Sequence, residues 1–170
     1  RDEKVPESLI PWIGKLLKIV KLREVRALTG FTRIFPPASA STGGKSKLCD
    51  ISSSKLEWLP AVEVRGEGIF IELNLNSLEK WEKDKNLIER AKTINEVYVS
   101  DYGKKFENKS LPPIDISPRY LLIHTLSHAL IRQLSLECGY STSSMKERIY
   151  ADTRNSNMAG LLIYTATSDT

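Results

Sequence analysis

The sequence predicts a mixed α/β fold: a small sheet packed against one long buried helix, with additional amphipathic helices around it. Three observations predict it. Residues 118–137 form a nearly continuous apolar stretch framed by helix start and stop signals. Residues 59–73 alternate apolar and polar around glycines, and Gly160-Leu-Leu-Ile-Tyr164 is a short apolar run of strand type. Residues 77–99 are charged but carry apolar positions at helical spacing.

Taken in order, residues 5–22 read as a helix beginning near Pro6 or Pro11, with Ile10, Ile13, Leu16, Leu17 and Val20 as its apolar stripe. Residues 23–35 alternate and pass through Gly30, which predicts a strand with a bulge. Residues 36–54 hold two prolines and a run of serine, threonine, glycine and lysine, the composition of a flexible loop. Residues 59–73 read as a hairpin turning at Gly66-Glu67-Gly68. The 77–99 helix is expected to be capped by Asn76 or Ser77 and to point Leu78, Trp81, Leu87, Ile88 and Ala91 inward. Residues 104–113 form a linker between helices. Ser143-Ser144 reads as the cap of a short helix over 145–150, and residues 159–167 close the chain as a buried strand.

The 118–137 helix carries the most information. Ser117 is a natural N-cap, Pro118 suits the first helical position and Gly139 the residue just past the end. Leu121, Leu122, Ile123, Leu126, Ala129, Leu130, Ile131, Leu134 and Leu136 lie on nearly every side, which predicts all-round burial as the central core element. Its His124 and His128 are the two histidines of the chain, one turn apart on one face. His-Thr-Leu-Ser-His lacks the glutamate base of a zinc protease, and a third ligand has to come from a distant carboxylate or from Cys138. Cys138, ten residues on, lies about 80° round the helix from His128. Both histidines are therefore read as structural, with no metal.

The 170 residues suit one domain or a domain fragment. A hydrophobic share of 41% beside 27% charged residues is that of a globular protein, and His124 and Arg132 interrupt the best membrane-span candidate. Cys49 and Cys138 are too few for a disulfide framework or a four-cysteine zinc site, so a reduced, cytoplasmic protein is expected. A net charge of +4 permits an acidic partner such as nucleic acid without requiring one.

No catalytic constellation emerges. Gly43-Gly44-Lys45-Ser46 resembles the end of a phosphate loop, but Ser39 stands where the first glycine belongs. Ser127 and Ser135 lie mid-helix rather than on a strand-to-helix elbow, where serines usually bond the preceding turn. The basic residues say more. Arg33 sits near a glycine among apolar residues, Arg132 interrupts the long helix, and Lys146, Arg148 and Arg154 follow Gly139. Lys146, Arg148, Arg154 and Arg33 are the candidate nucleic-acid contacts.

Three blocks carry a family resemblance. They are Leu22-Arg-Glu-Val-Arg-Ala-Leu-Thr-Gly-Phe-Thr-Arg33; Pro60-Ala-Val-Glu-Val-Arg-Gly-Glu-Gly-Ile-Phe-Ile71; and His124-Thr-Leu-Ser-His-Ala-Leu-Ile with Glu137-Cys-Gly-Tyr-Ser, Glu147-Arg-Ile-Tyr and Met158-Ala-Gly-Leu-Leu-Ile-Tyr164. Together they resemble the C-terminal domain shared by MrfA-like helicases and by the helicase-associated protein of DISARM antiphage defence. The DISARM branch is the closer likeness, because the first two blocks look like it and no helicase motor motif is present. The resemblance implies a non-catalytic, DNA-binding domain, on duplex or single strands, that docks a superfamily-2 helicase in bacterial antiviral defence. The family's zinc-binding cysteine cluster lies downstream of the segment that resembles Met158 to Asp169. No cofactor is therefore expected within these residues, and zinc is expected only in sequence beyond them. Two other classes stay open: a hydrolase or nuclease completed by sequence outside this chain, and a purely structural interaction module.

Overall fold

A computed structural model of the chain describes residues 1–32, 49–105, 112, 114–152 and 157–165. Its architecture is mixed α/β, as expected. Strands β1 (Ile13–Ala27), β2 (Ala61–Leu73), β3 (Met145–Tyr150) and β4 (Gly160–Thr165) form one sheet in the order β1-β2-β4-β3, each neighbouring pair antiparallel. Helices α1 (Leu75–Trp81), α2 (Lys85–Lys105) and α3 (Pro118–Cys138) all lie in the connection between β2 and β3.

Three expectations are corrected by the sheet. Residues 13–22 are strand, not helix. The i, i+3, i+4 spacing that imitated a helix arises from register shifts in β1 at Ile13/Lys15 and Ile19/Leu22, which break the period-two alternation and return an apolar residue inward after three positions. β1 takes in residues 23–27 of the expected 23–35 strand and ends at Ala27; Phe31 then bridges to Cys49, and residues 33–35 lie outside the described residues. The expected 59–73 hairpin is a single strand, Ala61–Leu73. Gly68 is not a turn residue but a place of close approach: a Cβ there would run into the Ile163 carbonyl and lie 2.7 Å from Tyr164 Cβ. Residues 145–150 are likewise strand, not helix. The serines read as their cap instead belong to a 3-10 turn at Thr142–Ser144, closed by Ser141.

The long helix keeps its predicted ends. Ser117 Oγ accepts from the Tyr120 N–H, and Gly139 takes up the left-handed conformation at φ 74° while donating to the Ser135 carbonyl. Its burial, however, is one-sided. Arg119, Ile123, Ser127 and Ile131 form a buried line at i, i+4 spacing, flanked by half-buried Leu122, Leu126, Leu130 and Leu134, whereas Leu136 is 81% exposed. With sheet on one side only, a uniformly apolar helix still leaves a face uncovered. Its buried line meets Leu161, Ile163, Met145 and Leu73 of the sheet. The expected 77–99 helix is two helices: Asn74 rather than Asn76 or Ser77 caps α1, and Asp84 caps α2 through the Asn86 N–H. Leu78 and Ala91 are buried as expected; Ile88 is exposed.

The opposite sheet face has its own small core of Val64, Leu162 and Tyr164, with Ile19, Leu22, Phe70 and Tyr150 against it. β4 pairs with β2 only from Gly68 to Glu72, so residues 61–67 of β2 pair with β1 alone. This two-stranded extension folds back over β4 and β3, as the contacts of Glu24 show: its carboxylate takes Lys146 Nζ at 3.0 Å and the Tyr164 hydroxyl at 3.1 Å.

Glu24 therefore ties the extension to the sheet. Hydrogen bonds from Arg26, Lys146 and Tyr164 hold its carboxyl at about 2, against an ordinary value of 4.5. A lowered value means stability that is complete above about pH 4.5 and is lost as the pH falls towards 2. Screening at this partly exposed site keeps the effect on the order of 1–2 kcal/mol. Denaturation of Glu24→Gln beside the parent should show that deficit near neutrality and a vanishing one near pH 2. An equal deficit at both pH values would contradict the assignment.

Candidate metal centre and basic face

Strand alternation sends neighbouring residues of β3 to opposite faces of the sheet. Met145, Glu147 and Ile149 face α3; Lys146, Arg148 and Tyr150 face the folded-back β1–β2 extension.

On the helix side, Glu147 lies beneath the two histidines of α3. His124 Nε2 and His128 Nε2 are 3.1 Å apart, and each is 3.6 Å from Glu147 Oε1. The rings meet nearly edge-on at 84°, and Tyr120 stacks on His124 with its centroid 5.6 Å away. Both imidazoles are partly exposed, beside the core rather than in it. Glu147 Oε2 is buried without a hydrogen-bond partner among the described residues. The sequence left the third donor to a distant carboxylate or to Cys138. Cys138 is exposed and outside the cluster, and the carboxylate beside the two imidazoles is that of Glu147. Read as a strand, the 145–150 alternation would have put Glu147 on the helix-facing side; read as a helix, it could not.

Two imidazole nitrogens and one carboxylate oxygen are ordinary zinc donors, and this is the one such cluster among the described residues. Ser127, weighed above as a nucleophile, is fully buried, and its hydroxyl has no hydrogen-bond partner among the described residues. It faces the core, without the expected bond to the preceding turn.

On the other face, Lys146 is bonded to Glu24 and sits 5.9 Å over the Tyr164 ring. Arg148 is exposed and makes no salt bridge among the described residues; with Arg23, Glu24, Leu22, Leu162 and Tyr164 it lines a shallow recess. Arg23 and Arg65 share Glu63, and Arg26 is bonded to Glu24. The structure thus brings Lys146 and Arg148 together beside cations of β1 that the sequence reading did not single out. Arg33 and Arg154 lie outside the described residues. No described helix is long and apolar enough to cross a membrane.

The sequence reading also missed Arg119. It is 2% exposed, gives a two-pronged contact to Glu82 at 2.6 and 2.9 Å, and donates to Asn157 Oδ1 and the Met158 carbonyl. One guanidinium thereby joins the start of α3, the end of α1 and the approach to β4.

Beside this helix, with its two imidazoles over a strand carboxylate, stands a family match: residues 126–170 are similar to the MrfA Zn-binding domain. That match includes two of the three donors, His128 and Glu147, and both Lys146 and Arg148. The chain is more particularly a relative of the DISARM protein DrmB of Bacillus paralicheniformis, with 38% identity over 169 residues, 98% of this chain. The family resemblance of the three sequence blocks is thus borne out. The chain spans 29% of that relative's length.

Proposed function

We propose that this chain is the DNA-contacting, helicase-docking part of a DrmB-type protein in bacterial antiphage defence. The relation to DrmB along nearly the whole chain supports the defence setting. The observation that carries the DNA contact is the gathering of Arg23, Arg26, Lys146 and Arg148, from β1 and β3, on the sheet face away from α3. Glu24 at its centre is already saturated by three donors, and Glu63 is shared by Arg23 and Arg65, so five cations against two carboxylates leave a positive excess for phosphate oxygens. Arg148 is the principal contact; Lys146, half committed to Glu24, is the lesser one. The role is non-catalytic: the domain holds the strand while a superfamily-2 helicase acts on it.

Zinc stands in the family model's description, and the cysteine cluster of the resembled family lies outside these residues; an ion at His124, His128 and Glu147 would be a separate one, fastening α3 to β3 by Lewis-acid bonding. The residues of the basic face do the binding on their own.

A second reading, that of a protein-interaction module, is favoured by one observation: Trp12 and Trp58 are 60% and 65% exposed, surface of the sort that partners or further chain cover.

Gel shifts against single-stranded and duplex DNA, with and without a superfamily-2 helicase, separate the two. The DNA-contacting reading expects retardation by the chain alone, lost when Lys146 and Arg148 are both replaced by glutamine. Docking without DNA contact expects a shift only with the helicase present, unchanged in that double variant.

A further inference from the structure

We propose that His124 Nε2, His128 Nε2 and Glu147 Oε1 form a zinc site that fastens α3 to β3, separate from any cysteine cluster. A triangle with sides of 3.1, 3.6 and 3.6 Å has its centre about 2.0 Å from each corner, the length of a zinc bond to imidazole or carboxylate. Donors around a tetrahedral ion at that bond length stand about 3.3 Å apart, which the three observed separations bracket. Two imidazole Nε2 atoms at 3.1 Å need one to be protonated and the other bare; an ion satisfies both lone pairs and the carboxylate together.

The rest of the arrangement holds the donors in place. Both histidines project from one face of a helix capped at each end, and Glu147 projects from a strand paired along its length with β4. Tyr120, one turn before His124, stacks on its ring at an interplanar angle of 13° and fixes the ring's plane. The exposed histidines leave the solvent side open for a fourth ligand, the pattern of a three-ligand rather than a closed four-ligand site. Nothing in the cluster is a thiolate: Cys49 and Cys138 are both exposed and neither takes part.

The test is metal binding by the 170-residue chain, stripped with chelator and titrated with zinc and with cobalt(II). One equivalent should bind, the cobalt adduct should show the visible absorption of a low-coordinate nitrogen–oxygen site without a thiolate charge-transfer band, and zinc should raise the melting temperature. His128→Gln and Glu147→Gln should each weaken binding about tenfold or more, with unchanged circular dichroism. The Cys49→Ser/Cys138→Ser double variant should bind as the parent does. Absence of binding, binding that survives both His128→Gln and Glu147→Gln, or binding lost only in the cysteine variant would overturn the proposal. Because the readout is metal affinity, it stands or falls independently of DNA contact.

Discussion

Arg119→Ala is expected to destabilise the fold by about 3–5 kcal/mol, the largest loss anticipated for any single polar substitution. The guanidinium is almost wholly buried, and four of its hydrogen bonds reach Glu82, Asn157 and Met158. Truncation leaves the Glu82 carboxylate, itself only 19% exposed, without its counter-charge, and leaves the Met158 carbonyl without its donor. Most of the cost comes from those stranded groups rather than from the net strength of the pair. Replacing both partners together, as Arg119→Met with Glu82→Leu, should therefore cost much less than Arg119→Ala alone. Urea denaturation of the three chains checks it. A double variant as unstable as the single would show that the ion pair itself, not the unpaired remainder, holds the three segments.

Ile123→Ala should cost about 2–5 kcal/mol. Ile123 is 0% exposed and lies in the cluster with Leu161, Ile163, Met145 and Leu73, where helix meets sheet. The rigid strands beneath it cannot close the space left by the missing carbons, so a cavity adds to the lost burial. Leu136→Ala on the same helix, at an 81% exposed position, should change stability by no more than about 0.5 kcal/mol. Comparable losses at the two positions would mean that α3 is buried all round after all.

Local signals in the sequence were reliable where one residue decides one feature. Ser117, Pro118 and Gly139 bounded α3 because capping depends on neighbours in the chain. β4 was legible because five consecutive buried residues need no periodicity to announce them. What misled was long-range pairing. The bulges of β1 imitate helical spacing, and Gly68 looks like a turn because only the facing Ile163–Tyr164 backbone, nearly a hundred residues later, explains the missing side chain. The same cause hid half of each candidate site. His124 and His128 were visible as a helical pair, but Glu147 joins them only when residues 145–150 are strand. Lys146 and Arg148 were visible as cations, but their neighbours Arg23, Glu24 and Arg26 arrive through the folded-back β1. Arg119 had no sequence signal beyond its place after a helix cap, since its partners come from two other segments.

On the proposed function, β3 serves two faces: Glu147 belongs to the proposed ion-binding cluster beneath α3, and Arg148, the next residue, to the proposed phosphate-contacting face. The most direct measurement is the salt dependence of duplex DNA binding by the parent, Arg148→Gln and His128→Gln. Each phosphate contact contributes roughly 0.9 to the magnitude of the log–log salt slope. Arg148→Gln should flatten the slope by about that amount and weaken binding equally across sequences, while His128→Gln should leave the slope unchanged. An unchanged slope in Arg148→Gln, or one that flattens equally in both variants, would contradict the two-faced assignment.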